Sequence, residues 1–305
     1  MSTTTMLNLV KQATGEMGLS VPTTVVGNTN ADVVQLLRLI NGLGGELVRE
    51  HQWQGLTIEY RFTTSFKSYT GDVTKDSTSI TNMSSIVGIT SDSTWQVTGT
   101  GINQDTYVTN AAGTTLTISQ AATATNTTVA LTISQTKYAL PSDYDRLIDG
   151  TQWDKSKRWQ MIGPETMQQK EWLKSGYIST GPSIRYYLMG DKFQIWPPLS
   201  TAEYLGFDYV STQWVTATGG ASPSKTAFDT DTDTCIFPDR LIVQGLKLKY
   251  FEIKGFETTA LYRDYMTQKD IAKAVDAGSP ILSMAPTPTQ VLISWQNIPD
   301  SGYGS

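Results

Sequence analysis

The sequence predicts an α+β protein in which a helical bundle of N- and C-terminal helices carries an antiparallel β meander and an inserted small all-β module. Three observations support this fold class. Apolar residues recur with helical spacing near both ends of the chain. They alternate with polar residues in the middle, and residues 66–135 are crowded with Thr, Ser, Asn and Gly.

Residues 30–53 form the most regular helical pattern. Their apolar positions lie three or four residues apart and make one stripe, which consists of Val33, Leu36, Leu37, Ile40, Leu43 and Leu47. Asn30 is a residue type typical of a helix N-cap. Because Gly42, Gly44 and Gly45 weaken a helix interior, they predict a kink or the close approach of another helix. No strand precedes them and no Gly-Lys-Ser/Thr follows, which argues against a phosphate-binding loop.

The apolar stripe needs other helices to cover it. A short helix is predicted at residues 4–17, and two more at residues 238–255 and 258–277, where Gly255 ends one helix and Thr258 caps the next. Since these segments are far apart in the sequence, we expect the first and last thirds of the chain to form one helical body. The stripe faces either its own chain or a neighbouring one.

The β segments are predicted from alternation. Residues 56–62 read as a strand, residues 183–198 as a hairpin about Gly190 and Asp191, and residues 204–215 as a partner strand. Together they predict an antiparallel meander packed on the helices. Between them, Ser142 and Asp145 predict a capped helical turn, and residues 164–173 predict a short helix that starts at Pro164.

Residues 66–135 predict a small β module, either Ig-like or barrel-like. Short β-branched runs recur between Gly and Asn turn signals. The competing interpretation is low-complexity disorder, but apolar residues such as Ile86, Trp95 and Val97 argue against it. The sequence is therefore divided into a discontinuous body (1–65 and 136–278), the inserted module (66–135) and an extended C-terminal arm (279–305).

The C-terminal arm is more apolar than a solvated tail. Pro286 and Pro288 separate two apolar clusters, and we expect the arm to lie on this body or on another chain. Its candidate partner-binding residues are Ile281, Leu282, Met284, Val291, Leu292, Ile293 and Trp295.

Composition narrows the function classes. The 23 basic and 28 acidic residues give a net charge of −5, which lacks the basic footprint of a protein that grips nucleic acid. No apolar run approaches the roughly 20 residues that span a bilayer, and the first residues lack a signal-peptide pattern. Cys235 is the only cysteine and His51 the only histidine, which rules out an intrachain disulfide and the usual zinc sites. Neither a cofactor nor a membrane partner is expected.

A search for enzyme motifs finds no nucleophile elbow, zinc-protease motif, P-loop or dinucleotide fingerprint. His51 lies beside Trp53 and is expected to be a helix-end charge partner or a packed ring. Asp229, Asp231 and Asp233 could ligate calcium, although the glycine and terminal glutamate of an EF-hand loop are missing. A glycoside hydrolase with two catalytic carboxylates stays an alternative, because the distance between the two carboxylates depends on the tertiary fold. The sequence favours a non-enzymatic protein.

Three characteristic segments follow one another along the chain: LPSDYDR at 140–146, YYLMGDKFQIWPP at 186–198 and GFDYV at 206–210. In this combination the chain resembles the head-to-tail adaptor (connector) proteins of tailed bacteriophages, of the tail tubular protein A and packaged-DNA-stabilisation type. The GDVT run at 71–74 and the VTGTGI run at 97–102 are similar to β modules of phage structural proteins.

The resemblance implies a structural virion protein of the head-to-tail connector. It implies a ring, commonly of twelve subunits, beneath the portal protein, with helices that line or brace a channel for passing double-stranded DNA without sequence-specific binding. The ring would be a docking platform for a downstream tail or nozzle protein, and the arm would reach the portal. The inserted module departs from the smallest adaptors and is interpreted as an outward-facing decoration.

Two other functions compete with the adaptor. The first is a carbohydrate- or host-surface-binding tail component, suggested by Trp95 and Tyr107 of the module. The second is an enzyme that cuts cell wall.

Overall fold

The computed structural model describes residues 4–175 and 183–277. Within these ranges it contains five α-helices: α1 (Met6–Met17), α2 (Ala31–Glu50), α3 (Met167–Lys174), α4 (Asp239–Lys254) and α5 (Thr259–Ala277). The described chain also contains strands arranged in three sheets and one closed barrel. The protein is therefore of mixed α and β class, as the sequence predicts at this level.

The strands are mostly short. In chain order they are β1 (Thr57–Thr63), β2 (Phe66–Val73), β3 (Ser79–Thr81), β4 (Trp95–Gly99), β5 (Thr106–Ala112), β6 (Thr115–Ile118), β7 (Asn126–Gln135), β8 (Lys137–Ala139), β9 (Tyr144–Leu147), β10 (Trp153–Asp154), β11 (Trp159–Gln160), β12 (Arg185–Met189), β13 (Lys192–Trp196), β14 (Tyr204–Ser211), β15 (Val215–Thr216) and β16 (Thr234–Cys235).

Four of the helices share one hydrophobic core. Helix α4 packs against α1, α2 and α5, so helices from both ends of the chain meet. The stripe of α2 is buried inside this core, with Leu36, Ile40 and Leu47 fully inaccessible to solvent. Burying each such side chain stabilises the fold by about 1.5–3 kcal/mol. The stripe therefore faces its own chain rather than a neighbour.

Helix α2 begins as predicted and ends earlier. The Asn30 side chain accepts a hydrogen bond of 2.9 Å from the Asp32 N–H, which caps the first turn. The helix ends at Glu50, and the Trp53 indole folds back to donate a hydrogen bond of 2.7 Å to the Leu47 carbonyl. The last three residues of the predicted helix are thus outside it.

The glycines of α2 differ in role. A Cβ at Gly44 would overlap the indole ring of Trp214, whereas a Cβ at Gly42 or Gly45 would meet nothing within 4 Å. The prediction that another helix approaches these glycines closely is therefore wrong within the described chain. At Gly44 the close neighbour is a buried ring from the segment after β14, which the sequence pattern of α2 alone does not reveal.

The six strands from Phe66 to Gln135 form a closed barrel. Their order is β2-β3-β6-β5-β4-β7, and β7 closes it by pairing with β2. The barrel has a core of its own, which includes Val73, Ile80, Val97, Val108, Leu116, Leu131 and Ile133. Of the two forms predicted for the inserted module, the barrel-like one is observed. The division into body, module and arm stays a prediction.

The predicted meander is wrong in its pairing. Strand β14 pairs with β1 along seven residues, from Thr57 opposite Val210 to Thr63 opposite Tyr204, and with β10 and β9 on its other edge. The hairpin β12–β13 instead pairs with β8. The reason is that alternation shows which residues share a face but does not specify which strand lies alongside.

Strand β14 lies between two cores. Leu205, Phe207 and Tyr209 pack with the hairpin in an aromatic core, in which Phe193 stacks on Phe207 at 5.0 Å between ring centroids. Val210 belongs to the helical core. The central strand therefore joins the sheet to the helices.

Two local predictions between the sheets need correction. Ser142 and Asp143 form a turn, and Tyr144 then enters β9, so no capped helix forms there. Helix α3 has Thr166 as its N-cap rather than starting at Pro164; the Thr166 and Gln169 side chains form a capping box. The sequence analysis thus predicted a cap at Ser142, where no helix follows, and missed the capping box at Thr166, which begins α3.

Candidate interaction surfaces

Two of the aspartates considered for calcium binding fix their loop, one to the segment between α1 and α2 and one to Lys225. The Asp231 carboxylate accepts hydrogen bonds from the N–H groups of Val25 and Val26, the shortest at 2.8 Å. Asp233 is fully buried and accepts from the Lys225 ammonium at 3.0 Å. Within residues 4–175 and 183–277, no group of three or more His, Cys, Asp or Glu side chains is arranged to hold a metal ion. The observed geometry assigns these carboxylates a structural role.

His51 behaves as its sequence position predicts. Its ring packs edge-on against Trp53, with centroids 4.9 Å apart, and its Nε2 lies 3.5 Å from the Asp276 carboxylate of α5. The histidine thereby joins the end of α2 to the end of α5. The prediction of a packed ring or charge partner is confirmed.

Asp143 within the LPSDYDR segment has a role that the sequence analysis missed. Its carboxylate accepts hydrogen bonds from the Tyr209 hydroxyl at 2.9 Å and from the Ser211 hydroxyl at 2.7 Å. Burial, followed by this carboxylate, raises the pKa of Tyr209. Asp143 therefore fixes the turn before β9 onto β14.

A polar junction joins the barrel to the rest of the chain. The Lys174 ammonium of α3 lies 2.9 Å from the Asp105 carboxylate and donates a hydrogen bond of 2.9 Å to the Tyr107 hydroxyl. The Lys137 ammonium lies 4.2 Å from the centroid of the Tyr107 ring. Burial, and then the nearby charge of Lys174, lowers the pKa of Lys137. The junction thus holds one side of the barrel, at the start of β5, against α3.

The two aromatic residues behind the carbohydrate-binding alternative are covered. Trp95 is 4% exposed within the barrel core and donates its indole N–H to Thr90. Tyr107 lies beneath the two lysines of the junction. Sugars are bound on accessible aromatic faces, which these two residues do not offer. Their interpretation as a binding platform is wrong, because a single sequence does not show which side of a strand another element covers.

An apolar surface surrounds the turn between α4 and α5; we call Ile253, Phe256 and Tyr262 the tip patch. Their side chains are between 53% and 60% exposed. Gly255 ends α4 in the left-handed conformation at φ 77°, and Phe251 supports the Phe256 ring edge-on at 5.5 Å. Large exposed apolar side chains close together are typical of docking surfaces. The sequence analysis placed this turn correctly but did not single out these residues, although they lie off the buried stripes.

The seven candidate residues of the arm, from Ile281 to Trp295, lie outside the described residues. Their assignment as partner-binding residues stays a prediction.

The described chain thus presents surfaces suited to docking other macromolecules. The sequence profile of the SU10 adaptor protein family matches residues 91–280, from the barrel through α5. Since the match covers more than half of the chain, the protein belongs to the SU10 adaptor protein family. No curated protein matches the chain.

Family membership supports the coarser part of the sequence predictions. The protein is a phage adaptor-type virion component that interacts with portal and tail proteins, and the family favours a structural, non-enzymatic role. The predicted tail tubular protein A subtype is more specific than the match. None of the described helices has both the length and the apolar character needed to cross a membrane.

Proposed function

We propose that this protein is the subunit of a ring, commonly of twelve copies, that lies beneath the phage portal and provides a docking platform for the downstream tail or nozzle protein. The observation that carries the proposal is the match of residues 91–280 to the SU10 adaptor family. The exposed tip patch supports it, because a ring subunit needs apolar surface that its own chain does not cover.

The charge of the chain suits a channel that DNA passes through. With a net charge of −5 per copy, the ring carries no excess of basic residues to retain phosphates. A weakly repelling wall lets double-stranded DNA slide without sequence-specific contacts. The helices contributed by each copy line or brace this channel.

The arm and the barrel have separate roles in this proposal. Residues 279–305 reach the portal through Ile281, Leu282, Met284, Val291, Leu292, Ile293 and Trp295. Repeating such a contact around the ring multiplies a weak individual affinity. The barrel is an outward-facing decoration, and the polar junction at Lys174 sets its orientation.

Electron microscopy of the purified protein, alone and with isolated portal rings, tests the proposal directly. We expect rings that stack coaxially on the portal. A variant that ends at Gly278 should keep the circular dichroism spectrum of the full chain but lose portal binding. Virions made without the protein should package DNA and then leak it or fail to bind tails. Normal infectious particles in its absence would refute the adaptor role.

The tip patch is tested by a polar substitution. Phe256→Ser is expected to leave the melting temperature nearly unchanged, because the side chain is 60% exposed, and to weaken docking to the portal or the tail. Val87→Ser is the matched control, since Val87 is 75% exposed on the barrel. Equal docking by both variants in a pull-down would remove the tip patch from the proposal.

A further inference from the structure

Many exposed charges of the helical body are neutralised within the chain. Ion pairs join Glu16 to Arg240 and Lys247, Asp32 to Lys254, Glu46 to Lys249, and Glu50 to Lys269 and Lys273. These pairs connect the helices to one another. An exposed charged residue of this body that has no partner among the described residues is therefore an exception.

The outer face of α2 carries unpaired positive charge. Arg38 and Arg49 are exposed, and neither forms an ion pair with any residue in 4–175 or 183–277. Gly42 and Gly45 lie between them, and a Cβ at either position would meet nothing within 4 Å. A glycine inside a helix costs up to about 1 kcal/mol relative to alanine. Unlike Gly44, these two glycines have no packing reason inside the described chain, and they leave a shallow lane of bare backbone.

The outer face of α5 carries apolar side chains and negative charge. Ile271 is 51% exposed and Val275 is 76% exposed, and they lie one turn apart on the helix. Asp270 is exposed without an ion-pair partner among the described residues, and Asp264 reaches only the adjacent Arg263 at 3.9 Å. Asp264 precedes Ile271 by two turns and lies in line with the apolar ridge of Ile271 and Val275, whereas Asp270 lies about 100° around the helix from Ile271 and flanks the ridge.

We infer that the outer face of α5 in one copy packs on the outer face of α2 in the next copy; this inference rests on the proposed ring. The ridge of Ile271 and Val275 enters the lane at Gly42 and Gly45, as ridges enter grooves between packed helices. Asp264 and Asp270 both precede the ridge along α5, so they meet one of the two arginines that flank the lane, and this charge complementarity favours the pairing. The partner is a second copy because one chain supplies both complementary faces. Different faces meet, so the contact is head-to-tail and repeats around a closed ring.

Charge reversal on each face tests the inference. One variant combines Arg38→Glu with Arg49→Glu, and the other combines Asp264→Lys with Asp270→Lys. Each alone should require an at least roughly tenfold higher concentration for half-maximal ring assembly, measured by mass photometry with and without portal rings. An equimolar mixture of the two variants should assemble again, because a reversed α2 face then meets a reversed α5 face. A control that combines Lys75→Glu with Arg158→Glu, both exposed away from these helices, should assemble like the unaltered chain.

The outcomes separate the interface from the ring. If the unaltered chain forms rings and the reversed variants behave like the control, the inference is wrong while the proposed function stands. If the unaltered chain forms no ring under any of these conditions, both the proposed ring and the interface are wrong. A variant that failed only because it was misfolded would not be rescued in the mixture, which distinguishes misfolding from a lost contact.

Discussion

Gly44 of α2 provides the most direct test of how the helical core is packed. A methyl group at this position would overlap three atoms of the Trp214 indole. The Trp214 indole has little room to move. It is 1% exposed, it donates a hydrogen bond of 2.7 Å to the Thr226 carbonyl, and it packs edge-on against Phe228 at 5.0 Å. Gly44→Ala therefore forces the core to expand.

The expected magnitude follows from two opposing effects. Overpacking a core typically costs about 1–3 kcal/mol, and the overlap with a rigid ring favours the upper end. Replacing a helical glycine by alanine raises the free energy of unfolding by up to about 1 kcal/mol. The net loss in free energy of unfolding for Gly44→Ala is thus about 2 kcal/mol, which corresponds to a fall in melting temperature of about 4–8 °C at about 2–4 °C per kcal/mol.

Two neighbouring positions in the same helix are matched controls. A Cβ at Gly42 or Gly45 meets nothing within 4 Å, so alanine there should stabilise the isolated chain by about 0.5–1 kcal/mol. Denaturant unfolding followed by circular dichroism, at a protein concentration that keeps the chain monomeric, measures all three variants. If Gly44→Ala proves as stable as Gly42→Ala, the packing of Trp214 against α2 is wrong.

Three further predictions concern other parts of the chain. Lys174→Met should lower the melting temperature and Asp105→Asn in the same chain should recover part of the loss; a double-mutant coupling below about 0.5 kcal/mol would contradict the junction. Burial, followed by the charge of Glu59, raises the pKa of the Asp208 carboxyl. Ionisation of this carboxyl therefore destabilises the folded protein once the pH rises above the pKa that the carboxyl has in the unfolded chain. Asp208→Asn should therefore raise the melting temperature near pH 7 and leave it unchanged near pH 3, and an equal gain at both would refute this. Burial raises the pKa of the Cys235 thiol to about 12, so alkylation near pH 8 should require unfolding, and rapid labelling of the native protein would contradict the buried position.

Local signals in the sequence were sufficient for several elements. Asn30 caps α2 because its amide oxygen accepts a hydrogen bond from the N–H group two residues further on, whatever the rest of the chain does. The hairpin about Gly190 and Asp191 formed as predicted, because both residues adopt the positive φ that its two-residue turn requires. Such features depend on neighbours within a few residues, and for that reason a single sequence reveals them.

The candidate surfaces could be predicted only in part. The apolar content of the arm was visible in the sequence, and the family match supports the adaptor interpretation that accompanied it. The tip patch, in contrast, needed the structure. Whether Phe256 is exposed or covered depends on what other segments pack over the turn, and composition does not report this.

By itself, then, the sequence determined the helices, most strands and the buried stripe of α2, because periodicity and capping are properties of consecutive residues. The tertiary structure alone decided that β14 pairs with β1 rather than with the hairpin, that Trp214 rather than a helix fills the space at Gly44, and that the lysines of the junction cover Tyr107. These three outcomes depend on contacts between residues that are 30 to 170 positions apart, and the free energy of such contacts is set by shape and burial across the whole fold.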